Sequence, residues 1–371
     1  MKAIRAGWLL MLAGVLAGVL LPASGIGQAQ TTSTMWREVY VRRNESDLAA
    51  GLARLYFIDV VTGEAVTADV SGERFTIAGD YVMFRDPATG TVYRAWPDGR
   101  VESHPFIQPA PETIRIDWVV SPNGEWLAWT LTNQTSGGLQ TVTTLARTNG
   151  TEPRVILVDG PDPFLRVVPI ALTNDWVFFF DRQPQGVGEY FFYRQYAAIH
   201  RLDVGAEAPE PRLLPFEPNC LCGAGISANG QYFARLEQVG DAGGFDVRLW
   251  DLPAAVDVFA PSLPVNYQAA GAVLVAPDGR RAVYSLANNL AVDSADSGRE
   301  RFMLALVDAS TGEQRALLYN QLLIPLLPVG WTDDGQNVLL VNPRQDGTWK
   351  LNIEAMQVRQ VSSATWIGLL R

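Results

Sequence analysis

Histidine is almost absent from this chain: His104 and His200 are the only two in 371 residues. That leaves little material for a histidine-based triad or a multi-histidine metal centre. Cysteine is as scarce, with Cys220 and Cys222 alone, too few to supply the four ligands of a structural zinc site. Lysine is reduced to Lys2 and Lys350, so nearly all the positive charge is arginine. Positive charge is itself in deficit, 29 basic residues against 39 acidic ones, for a net charge of −10. Nucleic acid is therefore not an expected partner, because binding its phosphates needs clustered cations. Also missing is the Gly-x-Ser-x-Gly elbow of a serine hydrolase. The nearest string, Gly225-Ile226-Ser227-Ala228-Asn229, lacks the closing glycine.

One apolar run stands out, and it is short. Lys2 and Arg5 precede an uncharged stretch from Ala6 to Leu21, followed by Pro22-Ala23-Ser24-Gly25 and the small-x-small pattern Gly27-Gln28-Ala29. This is the layout of a cleaved signal peptide over residues 1–29. The run falls below the roughly 20 residues of a spanning helix; an uncleaved N-terminal anchor is the alternative. The remaining chain, 35–371, is expected to be exported (secreted, periplasmic or extracellular) with no stable membrane insertion once the leader is removed. Hydrophobic content of 48% with 10% aromatics suffices for a sizeable core.

What the chain has in abundance is punctuation. Ser121-Pro122-Asn123-Gly124-Glu125-Trp126-Leu127-Ala128-Trp129 recurs, with drift, as Ser227-Ala228-Asn229-Gly230-Gln231-Tyr232, as Ala276-Pro277-Asp278-Gly279-Arg280-Arg281 and as Thr332-Asp333-Asp334-Gly335-Gln336-Asn337. Weaker copies are Ala78-Gly79-Asp80-Tyr81 and Thr173-Asn174-Asp175-Trp176. Taking Gly79, Gly124, Asn174, Gly230, Gly279 and Gly335 as equivalent, the steps are 45, 50, 56, 49 and 56 residues. Each copy reads as strand, two-residue turn, strand, since Asn-Gly and Asp-Gly tolerate the positive φ that tight hairpins demand. A second strand-turn-strand signature follows each copy, as in Leu306-Val307-Asp308 with Thr311-Gly312-Glu313. Four short strands in each period of about 50 residues mark an all-β fold, a β-propeller of four-stranded antiparallel blades. Six copies are complete, and strands left over at both ends share a further blade. Seven blades is the expectation, six or eight the alternatives.

The copies "SPNGEWLAW" and "APDGRRAVY" resemble the WD40-like repeats of TolB-type propellers, which also build the propeller domains of prolyl-oligopeptidase-like enzymes. The resemblance covers essentially all of 35–371 and implies fold more than activity. Two departures matter: TolB proteins carry an α/β domain ahead of the propeller, and the peptidases carry a hydrolase domain.

In such a fold the loops from second to third strand share a face with the blade-to-blade connections; the inner turns lie opposite. The former are expected to be long, at Thr132–Thr141, Arg182–Ala198, Glu237–Phe245 and Ala287–Glu300, and long loops on a rigid scaffold are where binding usually resides. The connections pair proline with apolar residues, among them Phe106, Phe164, Phe216, Tyr267 and Leu323. Two readings stay open for these side chains: they tuck between blades, or they form a docking rim for a protein or peptide. Cys220 and Cys222 stand in one connection; a disulfide or inert thiols is one reading, redox or metal chemistry the other. Asp293, Asp296 and Glu300 form an acidic loop whose spacing suits a solvated segment, with Ca2+ the one cofactor it leaves open. Function is expected to be non-catalytic: a monomeric, exported protein- or ligand-binding module at the cell envelope. The alternative is a propeller enzyme, a calcium-dependent hydrolase or lactonase using carboxylates at the tunnel mouth.

Overall fold

A computed structural model describes residues 36–43, 51–187, 189–190, 192–215, 222–240, 243–265, 267–289, 300–322, 324–332 and 334–370. The expected leader, 1–29, lies outside them. Among the described residues there is no α-helix. Three strands come first, β1 (Arg37–Arg43), β2 (Leu52–Asp59) and β3 (Ala65–Ser71). Six four-stranded antiparallel blades then follow in order. They are β4 (Glu73–Ala78) to β7 (Val101–Ser103), through β5 (Tyr81–Arg85) and β6 (Val92–Ala95), and β8 (Thr113–Val120), β9 (Trp126–Thr135), β10 (Gly138–Arg147) and β11 (Arg154–Asp162). The fourth blade holds β12 (Leu165–Leu172), β13 (Val177–Pro184), β16 (Ile199–Asp203) and β17 (Arg212–Leu213), with an inserted hairpin β14 (Glu189–Tyr190) and β15 (Tyr193–Arg194). The fifth is β18 (Ala224–Ile226), β19 (Tyr232–Val239), β20 (Gly244–Asp251) and β21 (Val256–Ala260). The sixth is β22 (Ala269–Val275), β23 (Arg281–Asn289), β24 (Glu300–Asp308) and β25 (Glu313–Leu322). The seventh is β26 (Leu327–Trp331), β27 (Asn337–Val341), β28 (Thr348–Asn352) and β29 (Gln357–Ser362). Finally β30 (Thr365–Leu370) pairs with β1 and completes the first blade in the order β3-β2-β1-β30. The fold is a seven-bladed propeller closed by its two ends, as the repeat count predicts.

The recurring turn is longer than the two-residue hairpin its Asn-Gly suggests. Ser121 N–H bonds the Trp126 carbonyl, leaving four residues between them, and Gly124 N–H bonds the Ser121 carbonyl at 2.8 Å. That is a type I turn followed by a left-handed residue, Gly124 at φ 73°. The side chains explain the motif. Ser121 Oγ donates to Asn123 Oδ1 and accepts from Trp126 N–H, while Asn123 Oδ1 also takes Glu125 N–H. Ser227 and Asn229 repeat each of these bonds, and Thr332 with Asp334 does the same. In the fourth blade the glycine slot is held by Trp176, not by Asn174: its φ is 63° and its N–H bonds the Thr173 carbonyl. Counting Asn-Gly against Asn-Asp misplaced that copy by two residues. Ser121 N bonds across five residues, whereas Thr173 N bonds Val177 across four.

The core is built between blades. Each of six hydrophobic clusters joins two consecutive blades, for example Tyr81 and Met83 with Trp118 and Trp129, or Trp126 and Leu145 with Phe178 and Phe180. Sheets covered on both faces read as continuous apolar runs, and "WLAW" and "VFFF" are such runs, not alternating ones. Neighbouring blades are also tied by polar bonds. The Tyr81 hydroxyl donates to the Thr148 carbonyl at 2.9 Å, and His104 Nε2 lies 3.3 Å from that hydroxyl. His104 Nδ1 accepts from Ile107 N–H, so Nε2 carries the ring proton and donates to Tyr81. A cationic ring cannot make this set, and burial, with Arg94 adding to it, lowers the His104 pKa to about 3 from its ordinary 6.5.

Two expectations follow from this packing. The unfolded chain takes a proton at His104 below about pH 6.5 while the folded one stays neutral to about pH 3, so this residue's share of stability is lost as pH falls through that window, at about 1.4 kcal/mol per pKa unit. In urea titrations from pH 7 to 4, His104→Gln should show a shallower loss of stability than the unsubstituted protein; parallel curves would refute the assignment. Removing residues 365–371 should strip β30 from β1 and cost at least about 3 kcal/mol, the scale of one or two buried apolar side chains. A thermal melt of unchanged midpoint and cooperativity would show that the terminal strand does not close the ring.

Candidate functional site

Of the innermost strands, β30, β4, β8 and β12 lie side by side, as do β18, β22 and β26, and a propeller ring of this kind encloses a central channel. Each starts on the face that carries the blade-to-blade connections. Several of them begin with a bulge. Pairing shifts between Glu73 and Thr76 in β4 and between Thr113 and Arg115 in β8. A bulge turns the side chain beside it away from the regular alternation. Arg74 sits in the first of these at φ 59°, an uncommon conformation for a residue with a β-carbon.

Both bulges deliver a guanidinium to one carboxylate. Asp117, 1% exposed, accepts from Arg115 Nε at 2.6 Å and from its terminal nitrogen at 3.0 Å. Arg74 reaches the same carboxylate at 2.9 Å and donates to the Ile116 carbonyl, while its guanidinium covers the Trp118 ring at 4.6 Å. Burial would raise the Asp117 pKa, but the Arg115 hydrogen bond and the charges of Arg74, Arg115 and Arg194 hold it below the usual carboxylate range. Burial pushes Arg74 downward, opposed by Asp117.

From the fourth blade comes Arg166, the second residue of β12, 8% exposed. Its terminal nitrogen makes a long contact to the Val187 carbonyl at 3.4 Å, and its Nε is buried with no hydrogen-bond partner among the described residues. Burial lowers its pKa, and the nearby Arg115 lowers it further. Arg194 arrives on the inserted hairpin. That insertion crosses the channel mouth: Tyr193, fully buried, hydrogen-bonds Ser285 of β23 at 2.8 Å, and Tyr196 bridges to Cys222 ahead of β18. The close approach requires Gly271 in β22, where a β-carbon would stand 2.4 Å from Tyr193 Cβ. With Arg85, paired to Glu73 at 3.2 Å, five arginines line a cup of about 770 Å3 over the second, third and fourth blades. Leaving aside Arg194, which has an interaction of its own, four guanidiniums stand against two carboxylates, Glu73 and Asp117, a surplus of two positive charges in a chain of net charge −10.

A larger cavity, about 1060 Å3, opens at the seam of the first and seventh blades. Four of its five charged side chains are paired, Arg54 with Asp69 and Arg43 with Asp346, so volume and chemistry point to different places, and the cup carries the larger surplus of charge.

The residues expected from sequence do not gather at one place. Phe106 is half-buried between blades, its ring 4.4 Å from His104 and 5.4 Å from Trp129. Tyr267 is buried at 3% exposure. Phe164 is 70% exposed and stands at the edge of the cup, its carbonyl accepting the N–H of Gln185, which lines the cavity. Phe216 and Leu323 lie outside the described residues, as do Cys220, Asp293 and Asp296. Cys222 is disulfide-bonded, and Glu300 pairs with Arg344. Of the long loops expected on this face, Thr132–Thr141 is mostly strand, β9 and β10 pairing as far as Thr135 and Gly138, with Thr132, Leu139 and Thr141 buried in the extended blade. Glu237–Phe245 shortens likewise to a turn after Val239. The arginine cluster was not read from the sequence. Its signal is faint: an arginine at the second or third position of consecutive innermost strands, as in "ERF", "TIRID" and "LRV".

No family model matches the chain, and no curated protein matches it. Solved structures do. A presumed 6-phosphogluconolactonase from Bacteroides uniformis is 12% identical, with a TM-score of 0.51 over 90% of this chain and 98% of that one. An oligogalacturonate lyase in complex with manganese is 11% identical, with a TM-score of 0.50 over 82% and 87%. TolB from Acinetobacter baumannii is 16% identical, with a TM-score of 0.42 over 75% of this chain and 62% of its own length. At these identities the likeness is one of fold: a propeller shared by proteins of different activity.

The Asp117 cluster makes a stability prediction. Asp117→Asn leaves Arg74 and Arg115 facing each other without a counter-charge, and should cost about 3–5 kcal/mol in urea unfolding. Asp257→Asn, which breaks the exposed pair with Arg248, should cost less than about 1 kcal/mol. Equal effects would mean that Asp117 neutralises nothing the fold depends on.

Proposed function

We propose that this chain is an exported, non-catalytic binding propeller of the cell envelope whose cup, at the channel mouth, receives an anionic ligand or an anionic group of a protein partner. The surplus of arginine in the cup carries this reading. An acidic protein gains nothing in solubility by collecting five guanidiniums in one cavity; a site that attracts anions does gain, since field is focused in a low-dielectric cleft. Arginine is also the side chain suited to oxyanions, offering a fixed fork of donors. Phe164 at the rim adds an apolar contact for whatever carries the anion. The leader-like sequence over residues 1–29 supports export, as does the disulfide at Cys222, a bond that persists in oxidising compartments.

The enzyme alternative is less well supported. Among the described residues, no three histidine, cysteine or acidic side chains come together. Both carboxylates at the cup are engaged by arginine, so neither stands ready as a base or a metal ligand.

The test is a panel of small polyanions, polycations and neutral sugars against the mature protein. Polyanions should raise the melting temperature, by the equivalent of about 2.7 kcal/mol at a hundredfold excess over Kd. Hydrogen exchange should slow around Arg74, Arg115 and Arg166, with the added compound recovered unchanged. Stabilisation by neutral sugars alone, protection confined to the inner-turn face, or conversion of the compound would each sink the reading.

A further inference from the structure

Within that anionic reading, on which this inference rests, we propose that the cup is a phosphate site, with Arg166 as its anchor and a phosphate or phosphomonoester dianion as the group it holds. The argument is one of shape. A carboxylate is planar, and Asp117 shows how this cluster treats one: Arg115 lies side-on along both oxygens, and Arg74 closes the third position. That arrangement engages one guanidinium from each of two neighbouring blades. The remaining cationic group arrives from elsewhere. Arg166 is held by the next blade, nine-tenths buried, with its Nε directed at no protein acceptor. The strap adds Arg194 from above the mouth. Arginines from three blades and the inserted hairpin line the one cavity, so donors face it from several sides, which suits a tetrahedral oxyanion better than a flat one. A surplus of two charges, with Arg194 left out of the count, also exceeds what one monoanion would balance and matches a dianion.

A buried donor left without a partner is costly and rare in folded proteins. The Arg166 Nε is such a donor, in the second residue of an innermost strand. A bound oxyanion supplies the missing acceptor. The cavity of about 770 Å3 is within the range of small-molecule sites, so there is room for a substituent beyond the phosphate itself.

Calorimetric titration of the mature protein with inorganic phosphate and glycerol phosphate, against citrate and acetate, tests this directly. Phosphates should bind at least tenfold tighter than citrate, and Arg166→Gln should weaken phosphate at least tenfold, with Arg166→Lys between the two. Arg182→Gln, at an exposed arginine paired with Asp159, should leave the affinity unchanged. Should Arg166→Gln fail to fold, phosphate-dependent slowing of hydrogen exchange at 164–168 in the unsubstituted protein is the readout in its place. Citrate binding as tightly as phosphate, an unaffected Arg166→Gln, or phosphate protection elsewhere overturns the phosphate assignment while leaving the anionic reading standing. Failure of every anion to bind overturns both.

Discussion

The ring depends on one pairing. β30, the last strand of the chain, hydrogen-bonds to β1, the first, and so turns a row of blades into a closed cycle. Without it the first blade would present β1 as a bare inner edge and the seventh would be covered by the sixth blade alone. Closure is what lets sheets with two apolar faces exist in water at all, because each face is then buried by the blade beside it. The cup, too, is a consequence. Its arginines belong to different blades, and only a closed ring holds the starts of their innermost strands at fixed distances.

Rigidity of this kind makes local departures informative. The bulges at Glu73–Thr76 and Thr113–Arg115 interrupt otherwise regular pairing, and Arg74 occupies a backbone conformation that glycine would hold at less cost. Both departures serve a single result, the junction of two guanidiniums on Asp117. On the opposite face, where the inner turns lie, the same device appears as repetition. Ser121, Ser227 and Thr332 each clamp their own turn with a hydroxyl and a neighbouring Asn or Asp. One end of the propeller is thus built from identical parts, and the other is individual. The inserted hairpin, carried across the mouth by Tyr193 and Tyr196, belongs to the individual end.

The phosphate reading and the stability of the cluster are linked through the same charges. Asp117 offsets only part of the positive charge in the cup, and the fold tolerates the remainder because ring closure supplies enough burial elsewhere. Sites of this sort are where a protein departs from the economy of its core, with a buried donor unsatisfied and a residue out of its preferred backbone region.

The fold was legible in the amino-acid sequence because it is written locally and many times. Gly124, Gly230, Gly279 and Gly335 mark turns whose hydrogen bonds span six residues, and a signal of that range needs no tertiary context. Blade count and closure followed from spacing and from the strands left over at the ends. The slip at Asn174 shows the limit of that local code, since Trp176 takes the left-handed position that the spelling of the motif assigned elsewhere. Whether Phe106 and Tyr267 face solvent was not written locally, and neither was the cup. Arg74, Arg115 and Arg166 are far apart along the chain, and each looks like an ordinary polar residue near the start of a strand. Their meeting depends on the tilt of three blades, two bulges and a strap from a fourth-blade loop. Sequence determined the repeating unit, because turn and strand are settled by near neighbours; tertiary structure alone decided the site, because charge accumulates only where the ring brings distant strands together.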